Sequence, residues 1–114
     1  MLPNTIKSIE REAFKYCRNL RYVRMLDGIQ IIGNSAFWGC QDLKSLNIPG
    51  SVTALGTSVC RDCENLSEVE LSDLFQEIPE EIFWCCKSLT GITIPGRIRK
   101  IGKDAFFCQW FSTS

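Results

Sequence analysis

Apolar residues recur along this chain at a fixed spacing of 23 residues. The clearest marker is a cysteine, found at Cys17, Cys40, Cys63 and Cys86, each 23 residues after the one before it. Counted from each of these cysteines, the third, sixth, eighth, twelfth and fifteenth residues are apolar in every complete unit. Self-similarity at a period of roughly 20–50 residues is typical of stacked repeats. The pattern therefore predicts a solenoid in which each unit packs on its neighbours.

Each unit is expected to contain two short extended segments and one tight turn. Leu43, Leu46 and Ile48 alternate with polar residues in the way of a strand with one buried face. A second apolar pair, such as Ile98 and Ile101, indicates another extended segment. A glycine or proline then precedes a small residue, an aromatic and a cysteine, which predicts one turn of α or 3₁₀ helix. The predicted fold class is a repeat solenoid, mainly β with short helical or 3₁₀ turns.

The whole pattern, C-x-x-L-x-x-V-x-I-P-x-x-V-x-x-I-G-x-x-A-F-x-x-C, resembles the BspA-type leucine-rich repeat. It is nearly complete from Cys40 to Cys63 and from Cys86 to Cys108. The resemblance implies a right-handed superhelix of about 4–5 units, at about residues 1–16, 17–39, 40–62, 63–85 and 86–108, followed by a tail at 109–114. It also implies binding of proteins or surfaces by a family whose members are often secreted or surface-attached, and no catalytic residues.

Charge and composition exclude several classes of function. The 13 basic and 13 acidic side chains sum to zero, which argues against bulk binding of nucleic acid or anionic membranes. No apolar run approaches the roughly 20 residues needed to span a bilayer. Histidine is absent and the glycines form no phosphate-binding loop, so we expect no enzyme and no cofactor. The chain opens inside a repeat without a signal peptide, so we expect a fragment or a member without an N-terminal cap.

Seven cysteines raise the question of disulfides or a metal. An odd number cannot pair completely within the chain, and the periodic cysteines occupy inward positions where cysteine acts as a small apolar residue. We therefore expect seven free thiols and no metal. The alternative is thiol-based metal or redox chemistry at Cys60, Cys63, Cys85 and Cys86, where a C-x-x-C lies one unit before a cysteine pair.

The candidate binding residues form a column directly after the aromatic position of each unit. The column contains Lys15, Trp38, Arg61, Trp84 and Phe107. Tryptophan and arginine are enriched where interfaces gain most of their energy, so this stripe predicts a protein-binding site at its last four members. The alternative is an internal stack in which Arg61 lies between the two indoles.

Two further surfaces are candidates. Trp110 and Phe111 follow the last unit and are expected either to cover its open end or to dock on another chain. A weaker site is expected on the sheet face, at Tyr22, Arg24, Asn47, Glu68, Glu70 and Thr93.

Together these features predict a protein-interaction or scaffolding module. The resemblance favours the cell surface or secretion. The alternative from another class is a structural subunit built into a larger intracellular or organellar complex, whose neighbours would bury the open ends and the tryptophan stripe.

Overall fold

The computed structural model describes residues 6–108. Within that range the chain forms short strands joined by turns, and no residue is helical. The strands are β1 (Ser8–Ile9), β2 (Tyr22–Val23), β3 (Ile31–Ile32), β4 (Ser45–Ile48), β5 (Ala54–Leu55), β6 (Glu68–Leu71), β7 (Glu77–Ile78), β8 (Gly91–Ile92) and β9 (Lys100–Ile101).

Strands at the same position in successive units pair in parallel along the stack. The first ladder has the order β2-β4-β6-β8, and its outer side is the sheet face. Its register advances by one unit at each step: Tyr22 pairs with Ser45, Ser45 with Glu68, and Glu68 with Gly91. A second ladder consists of β1-β3-β5 and, separately, of β7-β9. The predicted mainly-β solenoid is confirmed.

The short helical turns expected in each unit are replaced by consecutive reverse turns. In the unit that contains β3, Ser35 and Gly39 have φ angles of 59° and 74°, and left-handed residues at this spacing prevent a helix. The N–H of Cys40 donates to the carbonyl of Phe37 over 3.2 Å, which closes one such turn. The N–H of Phe37 instead donates to Val59 in the next unit, over 2.8 Å. The turn segments thus form a third hydrogen-bonded ladder along the solenoid, hereafter the turn ladder.

The core is a set of columns that run the length of the stack. Leu43 and Leu66 are completely buried and Leu89 is 2% exposed, as the repeat register predicts. Phe37 and Phe83 fill the aromatic positions and are also completely buried.

The periodic cysteines belong to this core. Cys40, Cys63 and Cys86 are completely buried, whereas Cys17, in the first complete unit, is exposed. The Cys63 thiol donates to the carbonyl of Phe37 over 3.1 Å, a contact repeated by its counterparts in the units on either side. These thiols thus act as small core residues, and each also donates to a carbonyl 26 residues earlier in the chain.

Candidate protein-binding surfaces

The column of residues that follows the aromatic core position forms one continuous stack on the outside of the turn ladder. We call Lys15, Trp38, Arg61, Trp84 and Phe107 the aromatic stack. Backbone hydrogen bonds of the turn ladder lie on both sides of this column and hold its members at the spacing of the units. The structure therefore brings together residues that the sequence separates widely.

Arg61 is the centre of the stack. Its guanidinium carbon lies 4.7 Å from the ring centroid of Trp38 and 3.9 Å from that of Trp84. Its Nη1 also donates to a carboxylate oxygen of Glu81 over 3.1 Å, and that oxygen accepts a second hydrogen bond from Ser58, over 2.9 Å. The internal cation–π arrangement considered from the sequence is thus present, and it fixes both the charge and the two indoles in place.

The two ends of the stack differ from its centre. At one end, the Lys15 ammonium lies 4.8 Å from the Trp38 ring centroid. At the other end, the rings of Trp84 and Phe107 are stacked, with centroids 5.5 Å apart and an angle of 10° between their planes. Phe107 remains 52% exposed, so this end of the stack is a solvent-exposed aromatic ring.

Tyr16 is a part of this surface that the sequence reasoning missed. Its ring packs edge-on against Trp38, with centroids 6.5 Å apart, and it is 55% exposed. The ring covers Gly39, one unit further on, where a Cβ would lie 2.8 Å from Cε1 of Tyr16 and closer still to Cδ1. The sequence does contain a sign of this contact. Tyr16 lies one unit before Gly39, and these two residues directly follow Lys15 and Trp38 of the stack.

The sheet face holds the weaker candidate site. Tyr22, Arg24, Asn47 and Glu70 line a shallow hollow of about 670 Å³, and Tyr22 is 67% exposed. Glu68 and Thr93 are exposed but do not line the hollow. The face changes from basic at β2 to acidic at β6, and it lacks the stacked apolar surface of the aromatic stack.

The cysteines correct one expectation. Cys85 and Cys108 form a disulfide with their Cα atoms 4.6 Å apart, so the expectation of seven free thiols is wrong. The two residues occupy the same position in consecutive units, which brings their Cα atoms within the usual disulfide range of about 4.4–6.8 Å. The bond ties together the backbone next to Trp84 and Phe107.

Two of the buried cysteines, Cys60 and Cys86, are poor metal ligands and poor nucleophiles. A hydrogen bond with Cys63, together with burial, raises the pKa of the Cys60 thiol, and burial raises the pKa of Cys86. Thiols held neutral in this way are weak nucleophiles and weak metal ligands. Within residues 6–108, no group of three or more cysteine or acidic side chains is placed to hold a metal ion.

Two further points concern the chain terminus and membrane spans. Trp110 and Phe111 lie outside the described residues, so their predicted role stays a prediction. Between residues 6 and 108, no helix has the length and apolar character of a membrane span.

The stacked parallel ladders and the leucine columns define a leucine-rich-repeat solenoid. The family model described as the BspA type leucine rich repeat region matches residues 1–109 in six copies. This chain therefore belongs to the BspA-type leucine-rich-repeat family.

Solved structures of bacterial leucine-rich-repeat proteins resemble the fold closely. A protein of Bacteroides ovatus is 30% identical, with a TM-score of 0.88 over 93% of this chain and 27% of its own. The T. pallidum protein TpLRR is 27% identical, with a TM-score of 0.84 over 89% of this chain and 47% of its own. A leucine-rich cell surface protein of Faecalibacterium prausnitzii is 34% identical, with a TM-score of 0.77 over 88% of this chain and 26% of its own. This chain thus spans less than half the length of each. No curated protein matches the sequence.

Proposed function

We propose that this solenoid is a non-enzymatic module that binds a partner protein through the aromatic stack. The observation that carries the proposal is the continuity of the stack, which ends in the Phe107 ring and has the Tyr16 ring packed against Trp38 near its other end. Both of these rings are more than half exposed. Contiguous exposed aromatic surface of this kind is uncommon on free-standing proteins and usually marks a contact site.

The stack is also rigid before any partner arrives. Arg61 is fixed by two indoles and by Glu81, and the Trp38 indole N–H donates to Asp62 over 3.3 Å. Ordering a flexible side chain on binding costs about 0.5–1.5 kcal/mol, and side chains already held in place avoid much of that cost. A partner therefore meets a preformed row of aromatic and cationic groups, which are the side chains enriched at interface hot spots.

We further propose that the module works at the cell surface or after secretion. The Cys85–Cys108 disulfide supports this, because disulfides persist mainly in oxidising compartments. The cell surface protein of F. prausnitzii, which shares 34% identity, agrees with the same location.

The test compares two surfaces of one molecule. The partner is first isolated with the wild-type chain from the extracellular and envelope fractions of the source organism, and its affinity is then measured for variants. Phe107→Ser, combined with Tyr16→Ser, removes the exposed rings but leaves the Arg61 sandwich. Tyr22→Ser is the control on the sheet face, where the Tyr22 ring is 67% exposed.

We expect the double variant to weaken binding by at least about 2 kcal/mol, or about 30-fold, because aromatic anchors dominate interface energies. Thermal melting should show both variants folded. If Tyr22→Ser abolishes binding while the double variant binds normally, the interface is the sheet face instead. If the wild-type chain retains no partner, the proposed function is wrong.

A further inference from the structure

The second ladder is interrupted once, between β5 and β7. Strands β1, β3 and β5 pair in sequence, and the pairing resumes only with β7 and β9. No Cα atom of β5 lies within 8 Å of a Cα atom of β7. Paired strands are about 4.7–4.9 Å apart. The units on either side remain joined elsewhere, because β4 pairs with β6 and the N–H of Ser58 donates to the carbonyl of Glu80 over 3.0 Å.

Pro79 explains the interruption. The residues at this position in three other units, Gly33, Gly56 and Gly102, each donate their N–H to a carbonyl of the preceding unit, over 2.7–2.8 Å. Proline has no N–H and cannot make the equivalent bond to Leu55. These glycines also approach the preceding unit closely: a Cβ at Gly102 would lie 2.7 Å from the Cα of Glu80. Pro79 therefore lacks the hydrogen bond to the preceding unit, and its ring occupies space where the glycines of the other units carry only a hydrogen atom.

A cleft of about 790 Å³ lies at this interruption and extends past β7 to Lys100 and Gly102 of the following unit. Leu55 and Phe75 provide apolar lining, and Leu74, at 59% exposure, stands at its rim. Along one wall is the carbonyl of Leu55, whose counterparts Ile32 and Ile78 accept hydrogen bonds from the following unit. Among the described residues, no backbone hydrogen bond joins this wall to β7 on the other side. The cleft thus has two facing strand edges without a strand between them.

We propose that this cleft binds an extended peptide segment of a partner protein, which inserts as a strand between β5 and β7. One inserted strand needs two spacings of about 4.8 Å, or roughly 9.6 Å, and the separation between β5 and β7 exceeds 8 Å. An extended backbone carries N–H and C=O groups on both edges and can pair with both walls. A helix has its own backbone groups paired and therefore cannot pair with either wall.

The geometry also defines the chemistry of the segment. β5 and β7 are two residues each, so about three residues of the peptide can pair. The residue that faces inward meets Leu55 and Phe75 and should be apolar. The residue that follows it must have a free N–H, because that group replaces the one missing at Pro79.

The chain itself supplies a probe. The probe is a synthetic peptide with blocked ends that copies residues 30–34, Gln-Ile-Ile-Gly-Asn. In the solenoid this segment contains β3, which pairs with a strand on each side. The control peptide has N-methylglycine in place of the glycine, so a methyl group replaces the hydrogen of that N–H. Both are titrated into ¹⁵N-labelled full-length chain, and amide chemical shifts are followed.

We expect saturable shifts at the amides of Leu55, Gln76 and Glu77. The N-methylated peptide should bind at least about tenfold more weakly, since it loses one backbone hydrogen bond. The Pro79→Gly variant should also lose at least about tenfold, because a glycine can pair with Leu55 and close the cleft. The aromatic stack is unchanged in this variant, so the result is independent of the proposed function.

Three results would overturn the proposal: no saturable shifts in the wild-type chain, shifts confined to the sheet face or the solenoid ends, or equal affinity of both peptides. Equal affinity of the Pro79→Gly variant for the first peptide would overturn it as well. If that variant fails to fold, the N-methylated peptide still decides the question on the wild-type chain.

Discussion

Leu66→Ala tests the packing of the central units. Leu66 is completely buried between Leu43 and Leu89. The first ladder and the turn ladder join its unit to both neighbours, and the second ladder joins it to the following unit only. The change removes three carbon groups, worth about 2.4 kcal/mol at about 0.8 kcal/mol each. The cavity cannot collapse because its walls are tied on both sides, which adds about 1–2 kcal/mol. We therefore expect a loss of about 3.5–4.5 kcal/mol in the free energy of unfolding.

Leu20→Ala is the matched control for this prediction. Leu20 occupies the same position in the first complete unit but is only partly buried, and among the described residues it has a leucine of its column, Leu43, on one side only. Leu20→Ala should lower the free energy of unfolding by about 1–2 kcal/mol. Urea denaturation followed by circular dichroism measures both variants. Equal losses, or a loss below about 1 kcal/mol for Leu66→Ala, would refute the argument that the flanking units confine the cavity.

Three further predictions concern the cysteines and Arg61. Thiol titration in denaturant without reductant should detect five of the seven cysteines, and Cys85→Ser should cost about 3 kcal/mol by releasing the 23-residue link to Cys108. Burial raises the pKa of Cys40 from 9.0 to about 12. The stability that the neutral Cys40 thiol contributes is therefore complete below pH 9.0 and is lost as the pH rises towards 12. The melting temperatures of wild type and Cys40→Ala should converge over that pH range. Arg61→Gln should lose about 1–2 kcal/mol in urea denaturation, from two cation–π contacts and one ion pair, whereas Arg24→Gln on the exposed sheet face should lose less than about 0.5 kcal/mol.

The repeat period allowed most of the fold to be predicted from the sequence. A spacing of 23 residues places Leu43, Leu66 and Leu89 in one column, and neighbouring columns then fix the strand register. The helical turn was predicted wrongly because three-residue spacing also fits consecutive reverse turns. The left-handed residues that distinguish them, such as Ser35, are not restricted to glycine and so leave no clear mark in the sequence.

The disulfide and the cleft required the structure for different reasons. The odd number of cysteines excludes complete pairing but not a single pair, and the common position of Cys85 and Cys108 was the available signal. Pro79 was visible as a departure from glycine, but its effect depends on the hydrogen bond that glycine makes to the preceding unit. The arrangement of Arg61 between Trp38 and Trp84 was one of two readings, and contact distances were needed to establish it.

Site-specific crosslinking tests the central claim, that the aromatic stack contacts a partner protein. The photoreactive residue p-benzoylphenylalanine replaces Phe107 in one form of the chain and Tyr22 in another, and both forms are expressed in the source organism and irradiated. The account predicts a discrete crosslinked protein from position 107 and none from position 22, on the sheet face. A crosslinked protein from position 22 alone would contradict it.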